Sequence, residues 1–171
     1  MISFPQSHEF APFYEGYVNQ TQPGEDVLTP LHTQSSKLNT LFSALNDKGD
    51  YRYAPGKWSV KELLGHITDT ERIFSYRLLR IARGDKTPLQ GFDQDIYIKP
   101  GHFESRSMEN LIAEFEAVRK ATIILVESLD QTAIEQIGTA SNVSVSARAL
   151  IYIIVGHVAH HLRILEERYV G

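Results

Sequence analysis

Apolar residues recur at intervals of three and four through most of the chain. Val60, Leu63, Leu64, Ile67, Phe74, Leu78 and Ile81 trace one face of a helix. Just ahead of them, Ser59 and Glu62 form the S-x-x-E pattern of a capping box, and Trp58 and Leu63 flank it as a hydrophobic staple. That gives Trp58 a sufficient structural role, and no ligand is assigned to it. Arg83-Gly84 marks the end of this helix. Leu111, Phe115, Val118 and Leu125 form a second such stripe behind a cap at Ser107. Leu150, Ile154, His157, His161 and Leu165 form a third, on a helix predicted from Ser144 to about Arg168. An earlier helix ends near Asn46. It starts either at Pro30 behind Thr29 or near Glu25 with a kink at Pro30. Period-two alternation is absent, because Val143–Val145 and Tyr97–Ile98 are too short to build a sheet. These patterns predict an all-α fold, a four-helix bundle.

The connections are uneven. Residues 1–26 carry three prolines and several aromatics, so they read as a short N-terminal arm packed on the bundle through its rings; residues 1–171 read as a single domain. Residues 84–106 contain Pro88, Pro100 and three glycines and are expected to be largely non-helical. A connection that long tends to be a crossover, a site-covering loop, or both. Residues 129–137 add one short helical turn.

Composition narrows the chemistry. The net charge is −4, with no run of either sign. No basic stripe is present to neutralise phosphates, so nucleic acid is not expected as a partner. No window reaches the roughly 18 apolar residues of a membrane span, and the N-terminus lacks a secretory pattern. A cytoplasmic protein with no membrane partner is the expectation. There are no cysteines. Any metal must therefore be held by histidines and carboxylates.

Three of the seven histidines fall in GHVAHHLRIL, residues 156–165. Residues i and i+4 of a helix lie about 40° apart around its axis and about 6 Å along it. His157 and His161 therefore point the same way and can chelate one ion, whereas His160 is turned aside. The pair interrupts an otherwise apolar stripe, so it faces the interior, where imidazoles need partners. Alone, H-x-x-x-H is more often a hydrogen-bonded pair than a metal site. His66 changes the balance. It lies seven residues after the Ser59 cap, and His161 lies seven residues before Arg168. If the second and fourth helices are antiparallel, all three histidines sit at one level. That needs a long crossover, which residues 84–106 can supply. Three imidazoles on a divalent ion leave a position open for water or substrate. Zinc or nickel is the expected ion, with iron or manganese as alternatives; imidazole also suits copper, so ligand type alone does not name the metal.

The carboxylates are weaker candidates. Glu71 and Asp69 lie one turn beyond His66, where exposed helix-face charge is the commoner reading. Glu71 interrupts the apolar stripe, so a partner or a role as base is weighed for it. Asp93, Asp95 and Tyr97 can line a pocket, although turn chemistry explains the aspartates equally well. Arg72 and Arg163 read as surface ion-pair residues, and His8, His32 and His102 as surface.

KWSVKELLGHITDTERIF and ALIYIIVGHVAHHLRILEERY, with a looser match in ARGDKTPLQGFDQD, resemble the DinB-like (DinB/YfiT) superfamily over roughly residues 27–169. The resemblance implies an up-down-down-up four-helix bundle with a long crossover between the second and third helices. It implies His66, His157 and His161 as ligands of a divalent metal, with His160 as a neighbour, and points to a homodimer. Characterised members of that family resemble one another as metal-dependent enzymes working with low-molecular-weight thiols: bacillithiol or glutathione S-transferases and a mycothiol-dependent maleylpyruvate isomerase. The implied function is a transferase that activates a low-molecular-weight thiol and passes it to a small electrophile. The alternatives are a metal-dependent hydrolase and a non-catalytic, metal-stabilised stress-response or binding module.

Overall fold

The computed structural model describes residues 2–170. Four long helices dominate it: α1 (Leu28–Ser43), α2 (Val60–Ala82), α3 (Met108–Glu127) and α4 (Ala147–Leu165). Cross-links between them give the directions. Gln34 reaches Val155 and Lys37 reaches Glu166, so α1 and α4 run together. Arg119 bonds Leu31 while Asn39 bonds Glu116, so α3 runs against α1. Arg72 pairs with Glu114 and Lys61 reaches Glu104, which sets α2 parallel to α3. The order is up-down-down-up, and α2 is antiparallel to α4. The second-to-third connection is the crossover this topology requires.

Local chemistry explains most of the boundaries. At the start of α2 both capping-box bonds are present, with Ser59 Oγ accepting from Glu62 N and Glu62 accepting from Ser59 N. Gly84 closes that helix with φ +80°, a conformation that suits glycine. The start of α1 differs from both expectations. Leu28 is its first residue, held by Asp26, whose carboxylate accepts from Leu28 N at 3.2 Å. Pro30 sits in the first turn, where its missing N–H removes no helical bond, so no kink follows.

Three expectations are corrected. Ser144 does not open the last helix: Ser146 does, accepting from Ala149 N at 3.0 Å. Ser144 lies in a hairpin, β1 (Ile137–Ala140) paired antiparallel with β2 (Val143–Ser146). Its two turn residues, Ser141 and Asn142, have φ of 54° and 64°. Two successive residues with positive φ are what a tight two-residue hairpin needs, and asparagine tolerates that conformation best after glycine. The crossover is also more ordered than its prolines suggest, with a helix at Asp95–Gly101 that carries Pro100 near its end. Finally, Ala147–Val170 is long and apolar enough to cross a membrane. Its apolar surface is spent inside the bundle, with 72% of the window buried, so it reads as the core helix.

The crossover is pinned at both ends. Near its start, buried Arg77 donates to Gln90 O at 2.7 Å and Ser141 Oγ at 3.0 Å, and Leu89 bonds Thr139 O at 2.9 Å, joining it to the hairpin. Near its end, Phe103 is buried against α2. Residues 2–26 form short helical turns over α4. There the buried Glu9 accepts from Arg148 Nε and Ser146 Oγ, both at 2.6 Å, and Phe4 packs edge-on against Tyr152.

Candidate metal centre

His66 comes from α2, about two turns beyond its Ser59 cap; His157 and His161 come from α4, near its other end. The antiparallel packing of these two helices brings them to one level. Their three Nε2 atoms form a triangle with every side 3.1 Å. Each side chain is nearly inaccessible, at 3%, 3% and 8% exposure respectively.

Both ligand-bearing helices place a glycine immediately before the first histidine, and both gaps are filled. A Cβ on Gly65 would lie 2.3 Å from the Phe103 ring, and a Cβ on Gly156 would lie 1.9 Å from the backbone oxygen of Tyr17. A helical glycine costs about 1 kcal/mol relative to alanine. Here it admits the crossover on one side of the centre and the N-terminal arm on the other. Tyr17 then sets its ring edge-on to His157 and His160, both with centroids 5.4 Å away.

Burial pushes the His66 pKa down to about 4 and those of His157 and His161 well below the ordinary value, and the neighbouring imidazoles add to the effect. All three rings are therefore neutral at pH 7, with a lone pair available. A neutral imidazole offers one donor and one acceptor, yet each Nε2 here faces two other ring nitrogens rather than one complementary partner. A cation held by the three nitrogens would satisfy all of them at once. Nitrogens 3.1 Å apart lie on a circle of roughly 1.8 Å radius, smaller than the 2.0–2.1 Å of a Zn–N bond. The donor set fits a divalent ion. Thr70 Oγ1 lies 3.4 Å from His66 Nδ1 and steadies that ring, whereas His161 Nδ1 is buried with no hydrogen-bond partner.

The other candidates stay outside the triangle. Among the described residues no fourth histidine or carboxylate joins it. Glu71 is not an exposed helix-face charge: it is 2% exposed and accepts bidentately from Arg119 Nε and Nη2, at 2.7 and 2.6 Å. Arg119 also donates to Leu31 O and Gln34 Oε1, so the carboxylate is committed to a buried network spanning α1, α2 and α3. Asp69 is half-buried beside Arg72 at 3.5 Å, and burial raises its pKa. Exposed Asp93 accepts from Asp95 N at 3.0 Å, the turn role weighed for it. His160 is half-buried, its ring 5.0 Å from that of His161 and its Nδ1 3.5 Å from Arg163. Arg72 and Arg163 pair with Glu114 and Glu167, and His8, His32 and His102 are exposed.

Two features escaped the sequence reading. Arg119 looks like any helix-surface arginine until the elements facing it are known. Trp58 is more than a staple: its ring lies 4.6 Å from that of His66, and it lines a cavity of about 320 Å³ that reaches His161. The paired Gly-His steps in α2 and α4 were the available signal that something approaches both helices beside the histidines.

A sequence model described as the DinB superfamily matches residues 31–165. A presumptive metal-dependent hydrolase of Oceanobacillus iheyensis is 28% identical over 149 residues, covering 81% of this chain and 82% of that protein. Among solved structures, the chain is similar to YfiT from Bacillus subtilis, a probable metal-dependent hydrolase with an unusual four-helix bundle topology. The TM-score is 0.77 at 13% identity, over 98% of this chain and 93% of that one. It is also similar to the mycothiol-dependent maleylpyruvate isomerase, with a TM-score of 0.69 at 15% identity, over 84% of this chain and 61% of that one. At such identities these two likenesses describe the fold.

Proposed function

The chain belongs to the DinB superfamily, and from that premise we propose that it is a metal-dependent enzyme that activates a low-molecular-weight thiol for transfer to a small electrophile. The observation that carries the reading is the buried triangle of His66, His157 and His161 with Glu71 withdrawn from it by Arg119. Three neutral protein ligands with no fourth are the pattern of a catalytic rather than a structural site. A divalent ion held there would supply Lewis acidity, lowering the pKa of a coordinated thiol or water.

The chain's own residues do the rest. His66, His157 and His161 would hold the ion without adding negative charge, which would leave its Lewis acidity undiminished. Thr70 orients His66 through Nδ1. Tyr17 and Phe103 close the two flanks, filling the space left by Gly156 and Gly65. One approach is the cavity lined in part by His161. Zinc or nickel is the ion proposed; imidazole ligation suits both, as it also suits iron and copper.

Hydrolysis is the second reading, favoured by the description of the Oceanobacillus relative. Metal-loaded protein assayed against electrophiles such as chlorodinitrobenzene, and separately against activated esters, with and without added thiols, divides the two. The first reading expects turnover that requires the thiol. Ester cleavage at the same rate with no thiol present contradicts it and supports hydrolysis.

A further inference from the structure

The cavity beside His161 is walled by three aromatic rings, Tyr53, Trp58 and Tyr169, and by Leu63 and Ile164. The rings are held in place by one another and by the backbone. Tyr169 donates its hydroxyl to Trp58 O at 2.8 Å, and Tyr53 meets the Tyr169 ring edge-on at 5.0 Å. Trp58 rests on His66, with the two rings tilted by 39°. The wall is drawn from three separate segments: the loop before α2, the staple of α2, and the turn Glu166–Val170 after α4. It is thus assembled by the fold, and a ligand need not order it. At about 320 Å³ the space stands at the small end of ligand pockets. Lys57 and Asp95 complete the lining, and neither side-chain charge has a partner among the described residues.

We propose that this cavity is the substrate pocket of the metal centre, that it takes a small molecule presenting a planar, conjugated or aromatic group, and that Trp58 determines that preference. The inference rests on the enzymatic reading above. A planar group gains face and edge contacts with preset rings beyond what its buried area supplies. A saturated group of the same size gains only burial. Trp58 touches both His66 and the cavity, so a group seated against it lies beside the reacting position.

The test uses hydroxamic acids, which carry one metal-binding group on different bodies. Protein loaded with one equivalent of Zn²⁺, the loading checked by elemental analysis, is titrated calorimetrically with benzohydroxamate and with cyclohexanecarbohydroxamate. Trp58 is the only tryptophan in the chain, so its emission locates the bound ligand independently. The expected result is that benzohydroxamate binds about five- to tenfold tighter and changes the emission of Trp58. Simple hydrophobicity would favour the saturated ring. Trp58→Leu, which keeps an apolar staple, abolishes the preference while retaining zinc and the affinity for the saturated probe; Trp58→Phe keeps the preference. Equal affinities in the wild type, or a preference surviving in Trp58→Leu, overturn the assignment of Trp58. If zinc is retained yet neither hydroxamate binds, the ion offers no open position, and the enzymatic reading falls with the pocket.

Discussion

Glu71 and Arg119 show how much one residue's meaning depends on its partner. Each side chain is nearly inaccessible, and the two charges are joined by two hydrogen bonds within five residues of His66. Removing one charge from a buried pair strands the other, at a cost of about 3–5 kcal/mol. Glu71→Gln should therefore lower the melting temperature by about 10 °C, taking 2–4 °C per kcal/mol for a chain of this size. It should leave metal stoichiometry unchanged. Loss of metal from a folded Glu71→Gln protein would instead make Glu71 a ligand. At this scale the sequence was legible where chemistry is local: Ser59 and Glu62 identify each other three residues apart. His157 and His161 were legible as an interior pair through helical spacing. Arg119 was not, because its partners lie 48, 85 and 88 residues away.

Elements carry the next level of evidence. The N-terminal arm is tied to α4 through Glu9. Burial alone would raise its pKa, but hydrogen bonds from Arg148, Ser146 and Gln6 N overcome this and hold it at about 2 instead of the ordinary 4.5. A carboxyl whose folded pKa is depressed favours the folded state above its unfolded pKa. That contribution should be complete above about pH 4.5 and vanish as the pH falls towards 2. Thermal melts of wild type and Glu9→Gln at several pH values between 2 and 7 check it: the gap between the two proteins should shrink on acidification. A gap independent of pH would contradict the role given to this tie. The long amphipathic helices were legible because many residues repeat one spacing. The hairpin at 137–146 was not, since four-residue strands carry too little alternation and Ser-Asn is a weaker turn signal than Asn-Gly. The same hairpin hid the true cap, drawing the predicted helix start to Ser144 instead of Ser146. The short crossover helix was masked by Pro100, which sits near its end where helices tolerate it better.

At the scale of the whole molecule, the direction of the helices makes the site. Histidines on antiparallel α2 and α4 converge only because the intervening crossover lets α2 and α3 run parallel. The length of residues 84–106 and the matched heights of His66 and His161 were two views of that one fact, and both were visible in the sequence. What covers the centre was not visible. Tyr17 reaches it from 140 residues before His157, and Phe103 reaches it through the gap at Gly65. If helix direction makes the site, these three histidines together hold one ion. Elemental analysis after equilibration with Zn²⁺ and gel filtration tests it on wild type, His66→Ala, His157→Ala, His161→Ala and His160→Ala, with circular dichroism to confirm folding. About one equivalent is expected in wild type and His160→Ala, and little or none in the other three. A folded His161→Ala protein that retains a full equivalent would contradict it.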